Sequence, residues 1–408
     1  MPTIWRVCAP GSHAQMRDLI PPQGPLRRPL NINRRTFLQA LAGLTAAAGM
    51  FSPLTPLGAA MPTSATGRPG ARNLITDVPG LKVGVAQDSR VRTGATVILP
   101  DSPAMAAVDV RGGGPATRET DALGEDNLVQ TIDALTFSGG SVYGLAAADG
   151  VAAWLGQQGR GYALRPAPGV PVSPIVPTAC LYDLANGGDK NWQLTPPYRQ
   201  LGIDAVGKAG LDFPLGTVGA GYGAMTGMGK LKGGLGSASI AAANGATVGA
   251  LVAVNSLGAV VAPGTRAFWA TPYEIDGEFG NGGAAALAQL RAQGEDWMVQ
   301  EPQGGRKNTT LACIATDLAL TRVELKRVAI MAQDGMARAI RPLHSPFDGD
   351  VVFALSTGQR EVQGSRELAV LQIGALAADT LARAIARGVY AATPWPGSQV
   401  TTWQTLGG

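Results

Sequence analysis

From Asn73 onward the chain alternates short apolar runs with glycine and proline punctuation. Short apolar runs bounded by turn residues read as strands. "LKVGVAQD", "GATVILP" and "AAVDVRGGG" read as successive strands of an antiparallel or mixed sheet. "IDALTFS" adds a strand, followed by a glycine turn and a helix from about Ser141 to Leu155, with Ser141 as its N-cap and Gly156 as its end. "PIVPTACLYDLANGGDKNW" is a short strand and a polar loop, and a helix is expected near Pro197 to Gly210. The glycine-rich stretch 216–263 carries three strands, and a helix follows in "GGAAALAQLRAQG". "TTLACIATDLAL" and "DGDVVFALSTG" are strands on either side of a helix in "TRVELKRVAIMAQDGMARAI". There Val323, Leu325, Val328, Ala329 and Met336 share a stripe, and Thr321 with Glu324 forms a capping box. A final helix of some five turns is expected in "LAVLQIGALAADTLARAIARGVY". Strands precede helices in both halves, which predicts two sheets sandwiched between helical layers. The 56 glycines and the aromatic content of only 5% suit such layers, because small residues let backbones approach. No stretch reads as a linker, so residues 61–408 form one domain.

The first sixty residues are a different kind of text. "NRRTFLQALAGLTAAAGM" sets Arg34 and Arg35 ahead of Phe37, Leu38 and a moderately apolar segment, the pattern of the twin-arginine export route. An uncleaved anchor is the alternative, but Pro53 and Pro56 break the segment and it is short for a membrane span. "LGAAM" offers small residues for cleavage after Ala60, and the residues before the arginine pair, with Cys8 and His13, read as an extension. Residues 1–60 hold six arginines and one aspartate, so their removal takes 33 basic and 29 acidic residues to 27 and 28. The sequence pI of about 9.0 therefore belongs mostly to the signal, and nucleic-acid or anionic-membrane binding is not expected of the mature chain. The expected location is periplasmic or otherwise exported. Cys180 and Cys313 remain, too few for a zinc cluster, and are read as free buried thiols.

Chemistry in the mature chain is limited by its single histidine, His344, within "HSPFDGD". It reads as a loop histidine bonded near Asp348 or Asp350; a metal site made of these three has one nitrogen ligand and nothing to complete it. No metal and no cofactor are expected. "GAMTGMGKL" resembles a glycine-lysine phosphate loop, but Ala224 stands at the first glycine and Leu231 at the magnesium hydroxyl. "KLKGGLGS" reads as a turn with two solvated lysines.

"VAVNSLGAVV" sets Asn255 and Ser256 into an apolar run. The pair fits a strand end with a turn to follow. It also fits a self-cleavage site: if the Asn255–Ser256 bond is cut, the freed α-amine of Ser256, with a pKa of about 7.7 to 8.0, becomes a base beside its own hydroxyl. Such chemistry needs no histidine. Asparagine tolerates positive φ, so a strained scissile bond is expected at Asn255.

Seven segments in order resemble one family: "ITDVPGLKVGVAQD", "AAVDVRGGGPATRETD", "LTFSGGSVYGLAAADGV", "GTVGAGYGAMTG" with "KGGLGSAS", "VGALVAVNSLG", "NTTLACIATDLALTRVELKRVA" and "HSPFDGDVVFALSTG". They span about Asn73 to Gly358 and resemble the self-processing L-aminopeptidase/D-esterase (DmpA-like) peptidases, which include the β-peptidyl aminopeptidases. The resemblance implies an α+β fold, a four-layer αββα sandwich similar to that of ornithine acetyltransferases. It implies cleavage between Asn255 and Ser256 into 61–255 and 256–408, the two staying together within a tetramer. Ser256 falls on the family nucleophile and Thr309, with Thr310 beside it, on a second hydroxyl, where serine is the expected residue. Tyr182 is the nearest match to a family tyrosine, although a gapless alignment puts Cys180 there. Backbone amides from Thr217 to Gly221, Gly219 among them, and the side chain of Asn244 are the candidates for oxyanion binding. Ser141 lines the pocket or caps its helix. The implied substrates are small peptides and aminoacyl amides or esters. Two rivals stay open: an acyltransferase of the ornithine-acetyltransferase type, and a periplasmic ligand-binding protein that kept the sandwich without catalysis.

Overall fold

The computed structural model describes residues 67–280, 282–293 and 308–407. The export signal expected in 1–60 lies outside the described residues. In chain order the first strands are β1 (Leu81–Asp88), β2 (Thr93–Pro100), β3 (Ala104–Val110), β4 (Ala116–Arg118), β5 (Thr131–Ile132), β6 (Leu135–Ser138) and β7 (Thr178–Cys180). Helix α1 (Ala147–Gln157) lies between β6 and β7, and α2 (Tyr198–Val206) follows β7. Then come β8 (Met225–Thr226), β9 (Leu231–Lys232), β10 (Gly234–Ala241), β11 (Thr247–Asn255), α3 (Ala284–Gln293), β12 (Thr309–Leu318), α4 (Arg322–Ala339), β13 (Val351–Arg360) and α5 (Arg366–Tyr390).

Two mixed sheets result, one in the order β1-β2-β6-β7-β4 and the other β10-β11-β12-β13-β3-β5. They face each other across a core in which Ile98, Leu135 and Phe137 meet Leu251, Leu311 and Phe353. On the outside of the first sheet, Val97 and Leu99 pack under Val151 and Leu155 of α1 and Leu201 of α2. On the outside of the second, Val252 and Ile314 pack under Val328 of α4 and Leu381 and Ile385 of α5. This is the αββα order expected from the sequence.

Small residues set the layer spacing. A Cβ added to Gly236 of β10 would lie 1.9 Å from the carbonyl oxygen of Ala384 in α5, so backbone rests on backbone. Helix α5 extends over 25 residues, roughly seven turns rather than five, and is long and apolar because one side of it is core. Thr321 caps α4 with Glu324 completing the box, as the sequence indicates. Val323 falls off the expected stripe and is 58% exposed, while Leu325, Val328, Ala329 and Met336 are buried. Ser141 is no N-cap: it has φ 52°, follows the left-handed Gly140 and opens a 3-10 turn, Ser141–Ala146, that leads into α1. Where three strands are expected in 216–263, two long strands, β10 and β11, are preceded by a separate ribbon of two-residue strands, β8 with β9.

Candidate active site

Strand β11 lies between β10 and β12, and side chains along it alternate between faces. Leu251 and Ala253 enter the core between the sheets, and Asn255 continues their face. Its carboxamide therefore points toward the first sheet. Asn255 Oδ1 accepts from the Met225 amide at 2.9 Å, and Nδ2 donates to the Tyr182 carbonyl at 3.1 Å. The polar residue in the apolar run is thus a bridge between the β8 ribbon and the segment after β7. Asn255 is extended and pairs in register with Thr309, so the left-handed strain expected at this residue is absent.

Ser256 follows with 1% of its surface exposed. Its Oγ lies 2.7 Å from Thr226 Oγ1 and 2.8 Å from the Gly258 carbonyl, and Thr226 Oγ1 lies 3.0 Å from the same carbonyl. Each hydroxyl carries one proton, so one donates to the other and the second donates to Gly258. Behind them, the Leu257 amide donates to Asp348 Oδ1 at 3.3 Å. Asp348 is held by the amide and hydroxyl of Ser345, and burial together with neighbouring Asp350 raises its pKa. Asp350 accepts from the Thr310 amide at 2.8 Å and from His344 Nδ1 at 2.9 Å. His344 is accordingly a loop histidine bonded to a carboxylate, as read from the sequence.

Two cavities flank the Asn255–Ser256 bond. The smaller, about 110 Å³, is lined by Tyr182, Asp183, Asn186, Asn255, Asn308 and Trp395. The larger, about 610 Å³ and largely apolar, is lined by Thr226, Leu257, Gly258, Val260 and Phe347. On the wall of the smaller one Asp183 is buried, with its pKa raised to about 6 by burial, against the opposing pull of the Thr93 hydroxyl, the Gly140 amide and the Lys190 charge. Its Oδ2 packs beside Gly139 and Gly223. Lys232, expected to be a solvated turn lysine, is fully buried instead. Its Nζ donates to the carbonyls of Gly221, Ala224 and Gly233 at 2.9 to 3.1 Å, and burial lowers its pKa to about 7.

The other candidates scatter. Thr309 is beside the site, but its hydroxyl donates to the Asn308 carbonyl at 2.7 Å. Thr310 Oγ1 is buried without a partner. Tyr182 lines the small cavity and contributes its carbonyl to Asn255. Ser141 holds the segment after β7 through its amide, which donates to the Leu181 carbonyl at 2.9 Å. Thr217 binds the backbone of Thr393, and Gly219 packs against the inner side of the first sheet near Thr96. Asn244 sits in the turn before β11, so the length of that strand from Thr247 to Asn255, roughly 26 Å, separates it from Ser256. It is not an oxyanion donor there. Sequence reading missed Thr226, Asp183 and Asn308. Thr226 lies inside "GAMTGMGKL", whose glycines and lysine resemble a phosphate loop and carry no sign of a hydroxyl partner for Ser256.

A buried serine hydroxyl bonded to a second hydroxyl, on a four-layer αββα frame and with a cavity on either side of the strand end that carries it, is the arrangement of a serine nucleophile. The profile of peptidase family S58 matches residues 73–402. An uncharacterized aminopeptidase of Mycobacterium tuberculosis is 44% identical over 350 residues, covering 80% of this chain and 96% of the relative. A 6-aminohexanoate-oligomer endohydrolase of Paenarthrobacter ureafaciens is 28% identical over 344 residues, 78% of this chain and 86% of its own. Among solved structures, a β-aminopeptidase of Burkholderia sp. superposes with a TM-score of 0.60 at 23% identity, over 83% of this chain and 94% of that one. The L-aminopeptidase D-Ala-esterase/amidase of Ochrobactrum anthropi, described as a variant of the Ntn hydrolase fold, gives 0.57 at 22% identity over 82% and 91%. The chain belongs to peptidase family S58, the L-aminopeptidase/D-esterase family its motifs resemble, and is a serine hydrolase of the aminopeptidase class.

Proposed function

We propose that the chain is an exported aminopeptidase that cuts itself between Asn255 and Ser256 and then uses Ser256 to release N-terminal residues from short peptides, amides or esters. The observation that carries this reading is the buried Ser256 hydroxyl, 2.7 Å from Thr226 Oγ1, at the end of a strand whose last residue is gripped by its carboxamide. In the first event Ser256 Oγ attacks the Asn255 carbonyl carbon and the C–N bond breaks. The Ser256 nitrogen leaves as a free amine, and water hydrolyses the resulting ester. In turnover the same oxygen attacks the substrate carbonyl. Its proton passes through Thr226 or directly to the α-amine, which delivers it to the leaving group. Water then cleaves the acyl-enzyme.

Asp183 supports a free-amine requirement. Its buried carboxylate on the wall of the small cavity is a receptor for a substrate ammonium, the charge that lets a buried carboxylate ionise. Twin-arginine export, a periplasmic location and assembly of processed protomers into a tetramer belong to the same proposal and rest on the sequence. Mass spectrometry of purified protein tests the core of it: a fragment running from Ser256 to Gly408 is expected, and Ser256→Ala is expected to stay one chain and inactive.

A further inference from the structure

Attack by Ser256 puts negative charge on the carbonyl oxygen, which needs a hydrogen-bond donor beside it, and Asn244 lies at the wrong end of β11. The Leu257 amide, next to the nucleophile, is taken by Asp348. One donor close by is uncommitted. Asn308 is 95% buried and lines the small cavity together with Asn255, and its Nδ2 has no hydrogen-bond partner. A buried amide N–H left unpaired costs on the order of 1–3 kcal/mol, which is tolerated where a ligand supplies the missing acceptor.

Register places it. The last rung of the β11–β12 ladder pairs Asn255 with Thr309, so Asn308 is the residue next to the partner of Asn255, whose carbonyl is the one attacked in self-cleavage. Facing residues in such a ladder are about 5 Å apart. The Asn308 backbone is fixed on both sides. Its amide donates to the Phe347 carbonyl at 3.2 Å, and its own carbonyl accepts from the Gly349 amide at 2.8 Å and from Thr309 Oγ1 at 2.7 Å. The Thr309 hydroxyl thus acts on the backbone that carries Asn308.

We propose that Asn308 Nδ2 is an oxyanion donor of this enzyme. It donates to the carbonyl oxygen of whatever acyl group Ser256 attacks: Asn255 in the self-cleavage, the substrate residue in turnover. As the C–O bond forms from Ser256 Oγ, the carbonyl π pair moves onto oxygen and meets this N–H. The electron pair returns when the C–N bond breaks. Thr309 is then a positioning residue, acting through Asn308. The inference rests on Ser256 being the nucleophile.

Asn308→Ala and the isosteric Asn308→Asp test it, with alanine p-nitroanilide as substrate and 1-aminoethylboronic acid as a probe that becomes tetrahedral on the serine oxygen. With rates normalised to the cleaved fraction, kcat is expected to fall about 100-fold or more with KM within about threefold. Boronate affinity should weaken in parallel, while inhibition by the product alanine stays unchanged. A purely structural asparagine would not separate boronate from product. A variant that unfolds at the wild-type temperature yet stays uncut supports the same donor acting on the Asn255 carbonyl. Either variant retaining wild-type kcat and boronate affinity overturns the assignment. Wild-type protein that is neither cut nor active defeats the reading of Ser256 instead, a distinguishable failure.

Discussion

Thr226 Oγ1 and Ser256 Oγ lie 2.7 Å apart, both within reach of the Gly258 carbonyl. A buried hydroxyl pair on one acceptor orients the nucleophile and gives its proton somewhere to go. Thr226→Val keeps the volume and removes the hydroxyl. It is expected to lower kcat about 10- to 100-fold and to slow the appearance of the Ser256 fragment, with KM little changed. Steady-state kinetics beside a time course of cleavage checks this; unchanged values for both would remove Thr226 from the mechanism.

Asp183 carries a pH signature. Its folded pKa of about 6 stands above its ordinary value of 3.8 because burial disfavours the anion. The folded state therefore holds this proton more tightly than the unfolded one. The associated stability is complete below about pH 4 and is lost as pH rises through about 6. Ammonium binding needs the opposite, ionised form, so kcat/KM for aminoacyl amides should fall as pH drops through about 6. Asp183→Asn should lose that limb and raise KM about 10- to 100-fold, the value of a charged hydrogen bond. A variant with the wild-type pH profile would show that another group receives the amine.

Lys232 gives the reverse dependence. Burial lowers its pKa from 10.5 to about 7, so the unfolded chain binds more protons between these values and stability from this group increases with pH across that window. Lys232→Met should flatten this rise. It should also destabilise the fold by about 2–4 kcal/mol, because it strands the carbonyls of Gly221, Ala224 and Gly233. Denaturant unfolding of both proteins at pH 7 and pH 9 measures both effects.

Gly236→Ala is expected to destabilise by at least about 2–3 kcal/mol, since a Cβ there would press into the Ala384 carbonyl and push α5 off its sheet. A melting temperature equal to that of the wild type would mean that the layers tolerate a wider spacing than the glycines indicate.

The layers were legible because they follow local rules. Apolar runs and Gly/Pro punctuation delimit β1, β2, β11 and β12, and the Thr321–Glu324 box marks the start of α4. Asn255 and Ser256 stood out because a polar pair interrupts an apolar run. The rest of the site depends on chain segments far apart in sequence. Thr226 reaches Ser256 across 30 residues, Asp348 reaches the Leu257 amide across 91, and Asn255 grips Tyr182 across 73. No spacing rule connects them. Lys232 was misread for a related reason: a lysine among glycines resembles a turn until three carbonyls converge on it. Ser141 was read as a cap because the local sequence shows a small hydroxyl residue after glycines but not its φ of 52°.

The central claim is that the chain becomes two at Ser256, and intact-mass spectrometry of the purified wild-type protein tests it most directly. The account predicts a species beginning at Ser256 and ending at Gly408, together with a partner ending at Asn255, and a single uncut chain for Ser256→Ala. Wild-type protein that remains one chain while it hydrolyses aminoacyl amides would contradict it, because the α-amine of Ser256 would then never be free to act as base.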